Sequence, residues 1–328
     1  MKQVLILLYP GVAAGQVCGM QDYFRFCNDL ARFQNPEQTR ALYQVQLVDL
    51  EQKSSHQSGA LSFKCVPWQL DHADVLIVPG SYAHHPTELQ TVLQLFSKHP
   101  LLQQAHQLGI PIAASCNGSF ALAATGLLDG KTATTCWFLA DAFRQLFPKV
   151  SLLIDDKVCQ QDLIYTAGAT NAYIQLCLAL TQQHYGSRFS QQMAKIMLTD
   201  PQCSSQTPYL SLPQLSAHPD DKVFQIQQFL RKNLAKELEL ADIAAHFSLT
   251  PRTLLRRFKQ HTGDTPMAYL QKLRIEKAKQ LLESSLKPIE QLLPEIGYED
   301  LSSFRKLFQQ YTSLTPKAYR DRFYLAEL

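Results

Sequence analysis

The sequence has no apolar run of the roughly 18 to 20 residues that a membrane-spanning helix needs. Its first apolar run, from Val4 to Tyr9, stops at Pro10 and Gly11. A run of that length is typical of a buried strand and is too short for the apolar core of a secretory signal peptide. We therefore expect a cytoplasmic protein without a membrane partner.

Cysteine occurs eight times, yet the sequence contains no Cys-x-x-Cys pair and no cysteine beyond Cys203. This scatter is typical of cytosolic proteins, in which cysteine is mostly a small buried residue, and it argues against a disulfide framework. The spacing also lacks a local metal-binding motif. We predict no metal and no cofactor.

The chain also lacks a strong excess of charge of either sign, with a formal net charge of +3. Residues 1–217 carry 13 basic and 14 acidic side chains, whereas residues 218–328 carry 18 and 14. An excess of this size does not establish nucleic-acid binding. Whether residues 218–328 bind nucleic acid therefore has to be judged from the placement of their basic residues.

The pattern of the sequence changes near the end of its second third. Residues 1–198 alternate short apolar runs with helix-like stretches, which predicts a mostly parallel sheet covered by helices on both faces. Residues 199–221 are rich in Pro, Ser and Gln and have little periodicity, which predicts a linker. Every long pattern in residues 222–328 is helical, so we expect an all-α domain there.

The helical domain contains a repeat with a period of roughly fifty residues. Each copy has the pattern of a short helix, a tight turn and a second helix, which is the helix-turn-helix arrangement. Thr250 with Pro251, and Asp300 in the second copy, are suited to begin the second helices. The repeated apolar positions are Leu240, Ile243, Ala244, Phe247, Leu254 and Phe258 in the first copy, and Ile289, Leu292, Leu293, Ile296, Phe304 and Phe308 in the second.

If Leu254 and Phe258 face the core, the opposite face of that helix carries residues suited to base edges and phosphates. The alternative is an amphipathic helix whose charged face is merely solvated. Two copies with the same pattern of cap and turn residues favour DNA binding instead. The candidate DNA-binding residues are Arg252, Thr253, Arg256 and Lys259 in the first copy and Ser302, Arg305 and Lys306 in the second, with Arg257 and Arg320 as further phosphate contacts.

Residues 222–324 resemble the DNA-binding domain of AraC/XylS-family transcription regulators, including the long helix "AYLQKLRIEKAKQLLE" between the two modules. The resemblance implies a double-stranded DNA operator as partner. One departure is Pro294, inside the first helix of the second copy. Its missing N–H and its ring should kink or shorten that helix, so we expect firmer contacts from the first module.

The N-terminal part resembles the ThiJ/PfpI superfamily, which has the class I glutamine-amidotransferase-like fold. The matching segments are "YPGVAAGQVCGMQDYF", "ADVLIVPGS", "SCNGSFALAATGLLDGKTATTCW", "YTAGATNAYIQLCLAL" and "SQQMAKIMLTDP". Their order fits the subgroup that is fused to an AraC-type domain. The fold class implied is an α/β sandwich with a mostly parallel, flavodoxin-like sheet, followed by an all-α domain with two helix-turn-helix motifs.

By this resemblance, an active cysteine would lie on a strand-to-helix elbow, beside an acid and often a histidine. Cys116 stands at the elbow position, but Cys136 occupies the usual histidine position and Gln16 the usual acidic one. A cysteine without these partners has lost its proton-transfer groups. We therefore predict a catalytically degenerate site, without catalytic residues or enzyme activity.

Such a site keeps a concave pocket at the carboxyl ends of parallel strands. By resemblance, the domain binds a small effector, of the amino acid or quaternary amine type, and signals to the DNA-binding domain. Trp137 suits cation–π contact with a methylammonium group, although a core role is more frequent for such an aromatic residue. The candidate ligand-binding residues are Gln16, Cys18, Ser81, Tyr82, Cys116, Asn117, Cys136 and Trp137.

The preferred prediction is a ligand-responsive transcription regulator that forms a homodimer through its N-terminal domain. Two alternatives remain open. If Cys18, Cys116 and Cys136 face one pocket, three thiols suffice for a soft metal ion or a reversible disulfide, and the protein would respond to metal or redox state. The other alternative is a ThiJ/PfpI-type cysteine enzyme.

Overall fold

The computed structural model describes residues 1–37, 39–83, 85–200, 205–210 and 220–325. The chain forms two compact units, Met1–Gln206 and Thr207–Leu328. Their boundary falls inside the segment 199–221 for which the sequence predicts a linker. Each helix in the described ranges is too short or too polar to cross a bilayer.

The first unit is built around a mostly parallel sheet. Its strands are β1 (Lys2–Leu8), β2 (Tyr43–Asp49), β3 (Ser55–Ser58), β4 (Leu61–Lys64), β5 (Val75–Val78), β6 (Ile112–Ser115), β7 (Thr132–Ala133), β8 (Ser151–Leu152), β9 (Val158–Gln161) and β10 (Ile164–Ala167). The main sheet has the order β2-β1-β5-β6-β10-β9, and β9 is the antiparallel edge strand. The five parallel strands follow the flavodoxin-like order, which confirms the predicted fold class.

Helices cover both faces of this sheet, so its central strands are apolar along their whole length. Every residue of β5 and of β10 is buried. Helices α1 and α6 pack against each other, and the hydroxyl groups of Tyr23 and Thr181 are hydrogen-bonded between them at 3.0 Å. The helices are α1 (Ala14–Gln34), α2 (Pro86–Lys98), α3 (Leu101–Gln107), α4 (Gly118–Ala124), α5 (Ala140–Leu146) and α6 (Tyr173–Ile196).

The described part of the second unit is helical, as the sequence predicts. Its helices are α7 (Asp221–Lys232), α8 (Leu240–His246), α9 (Pro251–Thr262), α10 (Pro266–Ser284), α11 (Ile289–Ile296), α12 (Leu301–Thr312) and α13 (Pro316–Phe323). Two apolar cores lie along α10, which contributes Leu270 and Leu273 to the first and Ile275 and Leu282 to the second. The long helix expected between the two modules therefore belongs to both of them.

Helix α9 begins at the predicted cap. The Thr250 hydroxyl accepts a hydrogen bond from the Thr253 N–H at 3.2 Å, and Pro251 fills the first helical position. Asp300 caps α12 in the same way, through the N–H groups of Ser302 and Ser303. These side chains satisfy backbone donors that have no partner inside the helix.

Pro294 does not shorten its helix, contrary to the expectation from the sequence. Helix α11 has eight residues, one more than its counterpart α8. Pro294 removes one N–H donor in the last turn, and Gly297 ends the helix in the left-handed conformation at φ +73°. A Cβ at Gly297 would lie 2.8 Å from the Leu234 carbonyl oxygen, so glycine suits this close approach.

Replacing Thr250 by Ala should lower the free energy of unfolding by about 1 kcal/mol, because the cap of α9 is lost. Thr250→Ser keeps the hydroxyl and should stay close to the parent protein. Urea unfolding of the full chain, followed by circular dichroism, measures both variants. Equal unfolding midpoints for Thr250→Ala and the parent would contradict the capping role.

Candidate functional site

The site expected from the sequence lies between β6 and α4, where the chain makes the predicted elbow. Cys116 has a φ of +54°, which is uncommon for a residue other than glycine. Its N–H is shared between the carbonyl oxygens of Ala167 and Gly168, at 2.9 and 3.0 Å. Gly118 allows α4 to begin close to β5, because a Cβ there would lie 2.5 Å from the Val78 carbonyl oxygen. The elbow is therefore fixed by neighbouring strands.

Gln16, at the usual acidic position, is a neutral cross-link. Its Oε1 accepts hydrogen bonds from the Gly80 N–H at 2.7 Å and the Ser115 hydroxyl at 2.6 Å. Its Nε2 donates to the Thr170 carbonyl oxygen at 3.2 Å. The side chain is almost fully buried, and its amide ties α1 to the end of β6 and to the segments with Gly80 and Thr170.

Asn117 and Ser81 hold each other on the opposite side of the elbow. Asn117 Oδ1 accepts a hydrogen bond from the Ser81 N–H at 2.6 Å, and its Nδ2 donates to the carbonyl oxygens of Ser81 and Ala83 at 3.1 and 2.8 Å. Both residues are buried. The Asn117 amide thus uses its oxygen and both of its N–H groups on the protein backbone.

Cys136 lies against Cys116. It occupies the position at which the family resemblance implies a histidine. Both residues are buried, with 2% of the surface of Cys116 and 0% of that of Cys136 exposed. Hydrogen bonding with Cys136 is the main cause that lowers the pKa of Cys116, against the opposing effect of burial. Burial raises the pKa of Cys136, and its contact with Cys116 raises it further. The pKa of Cys116 is therefore lowered and that of Cys136 raised by the same contact.

The remaining predicted ligand residues lie further out. Tyr82 has 57% of its surface exposed. Trp137 is half-buried in a short 3₁₀ turn, Trp137–Leu139, and its ring meets Phe138 edge-on at 5.5 Å. Cys18 is half-buried on α1 and, within the described ranges, makes no hydrogen bond to either thiol of the elbow. The structure thus brings together Gln16, Ser81, Cys116, Asn117 and Cys136, and leaves Tyr82, Trp137 and Cys18 at the periphery.

The elbow is a packed cluster of hydrogen-bonded side chains. A cavity of about 600 Å³ lies instead at the amino ends of β1, β5 and β6, among Lys2, Asp74, Pro111 and His184. The predicted ligand-binding residues do not line it. In the part of the chain that the structure describes, no group of three or more His, Cys, Asp or Glu side chains is placed to hold a metal ion.

Gln206 is a member of this cluster that sequence reasoning missed. Its Nε2 donates to the carbonyl oxygens of Ile154 and Thr135, at 2.7 and 3.1 Å, and its Oε1 accepts from the Ala169 N–H at 3.2 Å. The loops it joins are those that precede Cys136 and follow β10. Gln206 lies in a polar segment without periodicity, so its burial could not be predicted from the pattern of residues.

The candidate DNA-binding face of α9 is open to solvent. Arg252, Arg256 and Lys259 are exposed and Thr253 is half-exposed, while Leu254 and Phe258 are buried in the first core. This is the arrangement that the apolar spacing implied.

Helix α12 repeats the arrangement with Phe304 and Phe308 buried and Ser302, Arg305 and Lys306 exposed. Arg305 lies 3.9 Å from Glu290, but each side chain is 58% exposed, so this pair contributes little stability. Basic side chains are therefore available on both helices.

Two arginines expected at phosphates have structural partners instead. The Arg257 guanidinium donates to both carboxylate oxygens of Asp220, at 2.7 and 2.9 Å, and this hydrogen bonding lowers the pKa of Asp220 to about 2. Arg320 donates to the Lys287 carbonyl oxygen at 2.7 Å. Arg257 joins α9 to the start of α7, and Arg320 joins α13 to the segment before α11.

Gln16→Glu should destabilise the protein more at pH 8 than at pH 5. Burial and the Thr170 carbonyl oxygen would raise the pKa of the introduced carboxyl above its unfolded value near 4.3. Stability is then retained below the unfolded pKa and falls as the pH rises towards the folded pKa, by about 1.4 kcal/mol for each unit of difference.

Urea unfolding at the two pH values measures this effect relative to the parent protein. Gln94→Glu, on the exposed face of α2, is the matched control and should show little pH-dependent loss. A stability difference for Gln16→Glu that does not change with pH would mean that position 16 tolerates charge.

Two family models match the chain. The DJ-1/PfpI family matches residues 3–183, and a helix-turn-helix domain matches residues 243–322. The first match covers more than half of the chain, and the second contains both candidate recognition helices, α9 and α12.

Similar curated proteins include the HTH-type transcriptional regulator GbdR of Pseudomonas aeruginosa, 25% identical over 221 residues, which are 67% of this chain and 60% of GbdR. The HTH-type transcriptional activator RhaS of Salmonella schwarzengrund is 36% identical over 111 residues, which are 34% of this chain and 40% of RhaS. The chain thus aligns with about 60% or less of the length of these two relatives.

Among solved structures, Drosophila melanogaster DJ-1beta is 20% identical with a TM-score of 0.48, over 61% of this chain and 98% of that chain. The family matches and the sheet order agree on the first unit, and the helix-turn-helix match agrees with the second. The chain belongs to the DJ-1/PfpI family and carries, C-terminal to that domain in the sequence, a helix-turn-helix domain of the AraC type.

Proposed function

We propose that this protein is a sequence-specific DNA-binding transcription regulator whose DJ-1/PfpI domain senses a small metabolite. The observation that carries the proposal is the repeated helix-turn-helix, in which each second helix buries two core residues and exposes basic ones. The names of GbdR and RhaS, a regulator and an activator of transcription, support it. The protein acts in the cytoplasm as a homodimer, an assembly that sedimentation of the purified chain tests.

In this proposal α9 and α12 enter successive major grooves, about 34 Å apart along the duplex. Arg252 and Arg256 on α9 read base edges, because an exposed guanidinium offers paired donors to guanine. Lys259, one turn further along, contacts phosphate. Ser302, Arg305 and Lys306 take the equivalent positions on α12. Arg257 is held by Asp220 and keeps α9 in place on α7.

The effector is a small amino acid or quaternary amine that binds beside the elbow. The exposed ring of Tyr82 and the half-buried ring of Trp137 are suited to a cationic group. Catalysis by Cys116 is not part of the proposal, because the side chain that lowers its pKa is the Cys136 thiol and not an imidazole.

The signal leaves the site through Gln206. This side chain is bonded to Thr135, next to Cys136, and to Ala169, next to the carbonyl groups that hold the Cys116 N–H. A shift of either loop on effector binding would strain these bonds. Gln206 is the last residue of the first unit, so its displacement passes directly into the chain that leads to the DNA-binding domain.

Arg256→Ala should weaken binding to a specific duplex by about 1 to 3 kcal/mol if the contact with guanine is bidentate. The duplex is first selected by the parent protein from a random pool, and affinities are measured by fluorescence anisotropy against a scrambled duplex. Arg256→Lys keeps the charge and should retain non-specific binding while losing discrimination.

Unchanged discrimination in both Arg256 variants would remove this residue from base recognition. A parent protein that enriches no sequence from the random pool would refute the proposed function itself.

Gln206→Ala should separate effector binding from DNA binding. A thermal-shift screen of the parent protein against amino acids, betaine and carnitine identifies a stabilising compound, since a ligand of the native state raises stability by mass action. That compound should still stabilise Gln206→Ala, but it should no longer change the affinity for the selected duplex.

Ser205→Ala is the neighbouring control. It removes the hydroxyl that donates to the Asp155 carbonyl oxygen at 3.0 Å but leaves the Gln206 side chain intact, and it should respond like the parent. A full response in Gln206→Ala would show that the signal takes another route.

A further inference from the structure

The first residues of the second unit, 207–210, form a turn that is docked on the second helix-turn-helix module; we call it the linker turn. The Leu210 N–H donates to the Thr207 carbonyl oxygen at 3.1 Å, and Thr207 and Pro208 are buried. The turn packs beside α12, the candidate recognition helix of the second module. The chain that leaves the first unit therefore meets the second module before it reaches α7.

Two side chains of α13 hold the ring of Tyr209. The ring meets Phe323 edge-on with the centroids 5.4 Å apart, and the Arg322 guanidinium lies 5.3 Å from the Tyr209 centroid. Arg322 also donates a hydrogen bond to the Tyr209 hydroxyl. Phe323 in turn contacts the ring of Tyr319, with 4.6 Å between the centroids. Ring contacts therefore run from the linker turn into the second core.

A buried ammonium group holds Leu210. Lys279, on α10, has only 5% of its surface exposed, and its Nζ donates to the Leu210 carbonyl oxygen and, at 3.3 Å, to Glu276 Oε2. The same Nζ lies 5.8 Å from the centroid of the Tyr319 ring. A buried charge needs such partners, because its hydrogen bonds replace lost contacts with water. Moving the linker turn would deprive Lys279 of one acceptor.

Both sets of contacts converge on Tyr319, which touches a core residue of α12. The Tyr319 ring packs edge-on against Phe308 with the centroids 5.4 Å apart, and Phe308 contacts Phe304 at 5.6 Å. All three residues are buried in the second core. Because a closely packed core transmits strain, the position of the linker turn bears on the position of α12.

The first module is held by a later part of the chain. Asp220 caps α7 through the N–H groups of Lys222 and Val223, and it accepts two hydrogen bonds from Arg257 of α9. Asp220 comes after Leu210 in the sequence. The two candidate recognition helices are thus tied to different points of the chain that follows the first unit.

We propose that the linker turn sets the position of α12, so that the effector controls the half of the operator bound by α12 and leaves the half bound by α9 unchanged. Tyr209 is a positioning residue, since it acts on DNA through α12. A displacement of Gln206 meets the anchors at Tyr209 and Leu210 before it reaches Asp220. The effect on DNA rests on the proposed function, whereas the hold of the linker turn on α12 does not.

Hydrogen–deuterium exchange of the full-length protein tests this hold without DNA. In Tyr209→Ala the amides of α12 and α13 should exchange about fivefold faster, the size expected when one ring contact and one cation–π contact are lost. The amides of α8 and α9 should keep the rates of the parent protein. Tyr209→Phe keeps the ring and should resemble the parent. Leu286→Ala, an exposed side chain of the second unit, is the control and should also exchange like the parent.

Two results of this measurement would overturn the proposal. Unchanged exchange of α12 in Tyr209→Ala would show that the linker turn does not hold this helix. Equally faster exchange of α9 and α12 would show that Tyr209 supports the whole second unit and not the second module.

Hydroxyl-radical footprints on the selected duplex test the effect on DNA. Arg256→Ala and Arg305→Ala first show which half of the site belongs to α9 and which to α12. In Tyr209→Ala, without any added compound, protection of the α12 half should be lost while the α9 half stays protected. In the parent protein, the stabilising compound from the thermal-shift screen should change the protection of the α12 half alone, and Tyr209→Phe should respond in the same way.

These outcomes separate the inference from the proposed function. A parent protein that selects no duplex would refute the regulator, and faster exchange of α12 in Tyr209→Ala would still sustain the hold of the linker turn. Equal loss of protection in both halves of the site in Tyr209→Ala, or a compound that changes the α9 half, would refute control through the second module and leave the regulator intact.

Discussion

The left-handed backbone of Cys116 is the constraint on which the arrangement of the elbow depends. This conformation costs a residue other than glycine about 1–2 kcal/mol, so it persists only where neighbours impose it. Here the Cys116 N–H is held by the carbonyl oxygens of Ala167, at the end of β10, and of Gly168, and Gly118 lets α4 start against the end of β5. The strain is therefore balanced by contacts from two adjacent strands, and the Sγ atom is presented at the edge of the sheet, beside Cys136.

Amide side chains then make the site rigid without giving it charge. Gln16 and Asn117 are buried, and each makes three hydrogen bonds to groups of the same unit. With an amide at the acidic position and a thiol at the histidine position, the cluster has lost groups that move protons at neutral pH. The Cys116 and Cys136 side chains are both buried beside these amides.

Periodic features of the molecule could be predicted from the sequence, and isolated long-range contacts could not. Leu254, Phe258, Phe304 and Phe308 were placed correctly in the core, because helical spacing decides which face is buried. Arg257 looked like a phosphate contact, because nothing in its neighbourhood reveals Asp220, 37 positions away. The prediction that Pro294 would shorten α11 was wrong, because the general rule for proline inside a helix was applied without regard to its position in that helix. The proline falls in the last turn of a short helix, where it removes a single donor, and the packing of Leu293 and Ile296 holds the helix.

Under the proposed function, the chain between the two units is the route by which the packed elbow acts on the DNA-binding domain. Gln206 is anchored in the first unit, and Tyr209 is anchored in the second, with its ring edge-on to Phe323 at 5.4 Å and the Arg322 guanidinium over it at 5.3 Å. Only Thr207 and Pro208 separate these two anchors, and proline fixes its own φ. A long flexible linker would absorb a displacement of Gln206 as a change in its own entropy. Two residues have little freedom to do so, and under the proposed function a small rearrangement of the loops beside Cys116 and Cys136 would pass along the backbone.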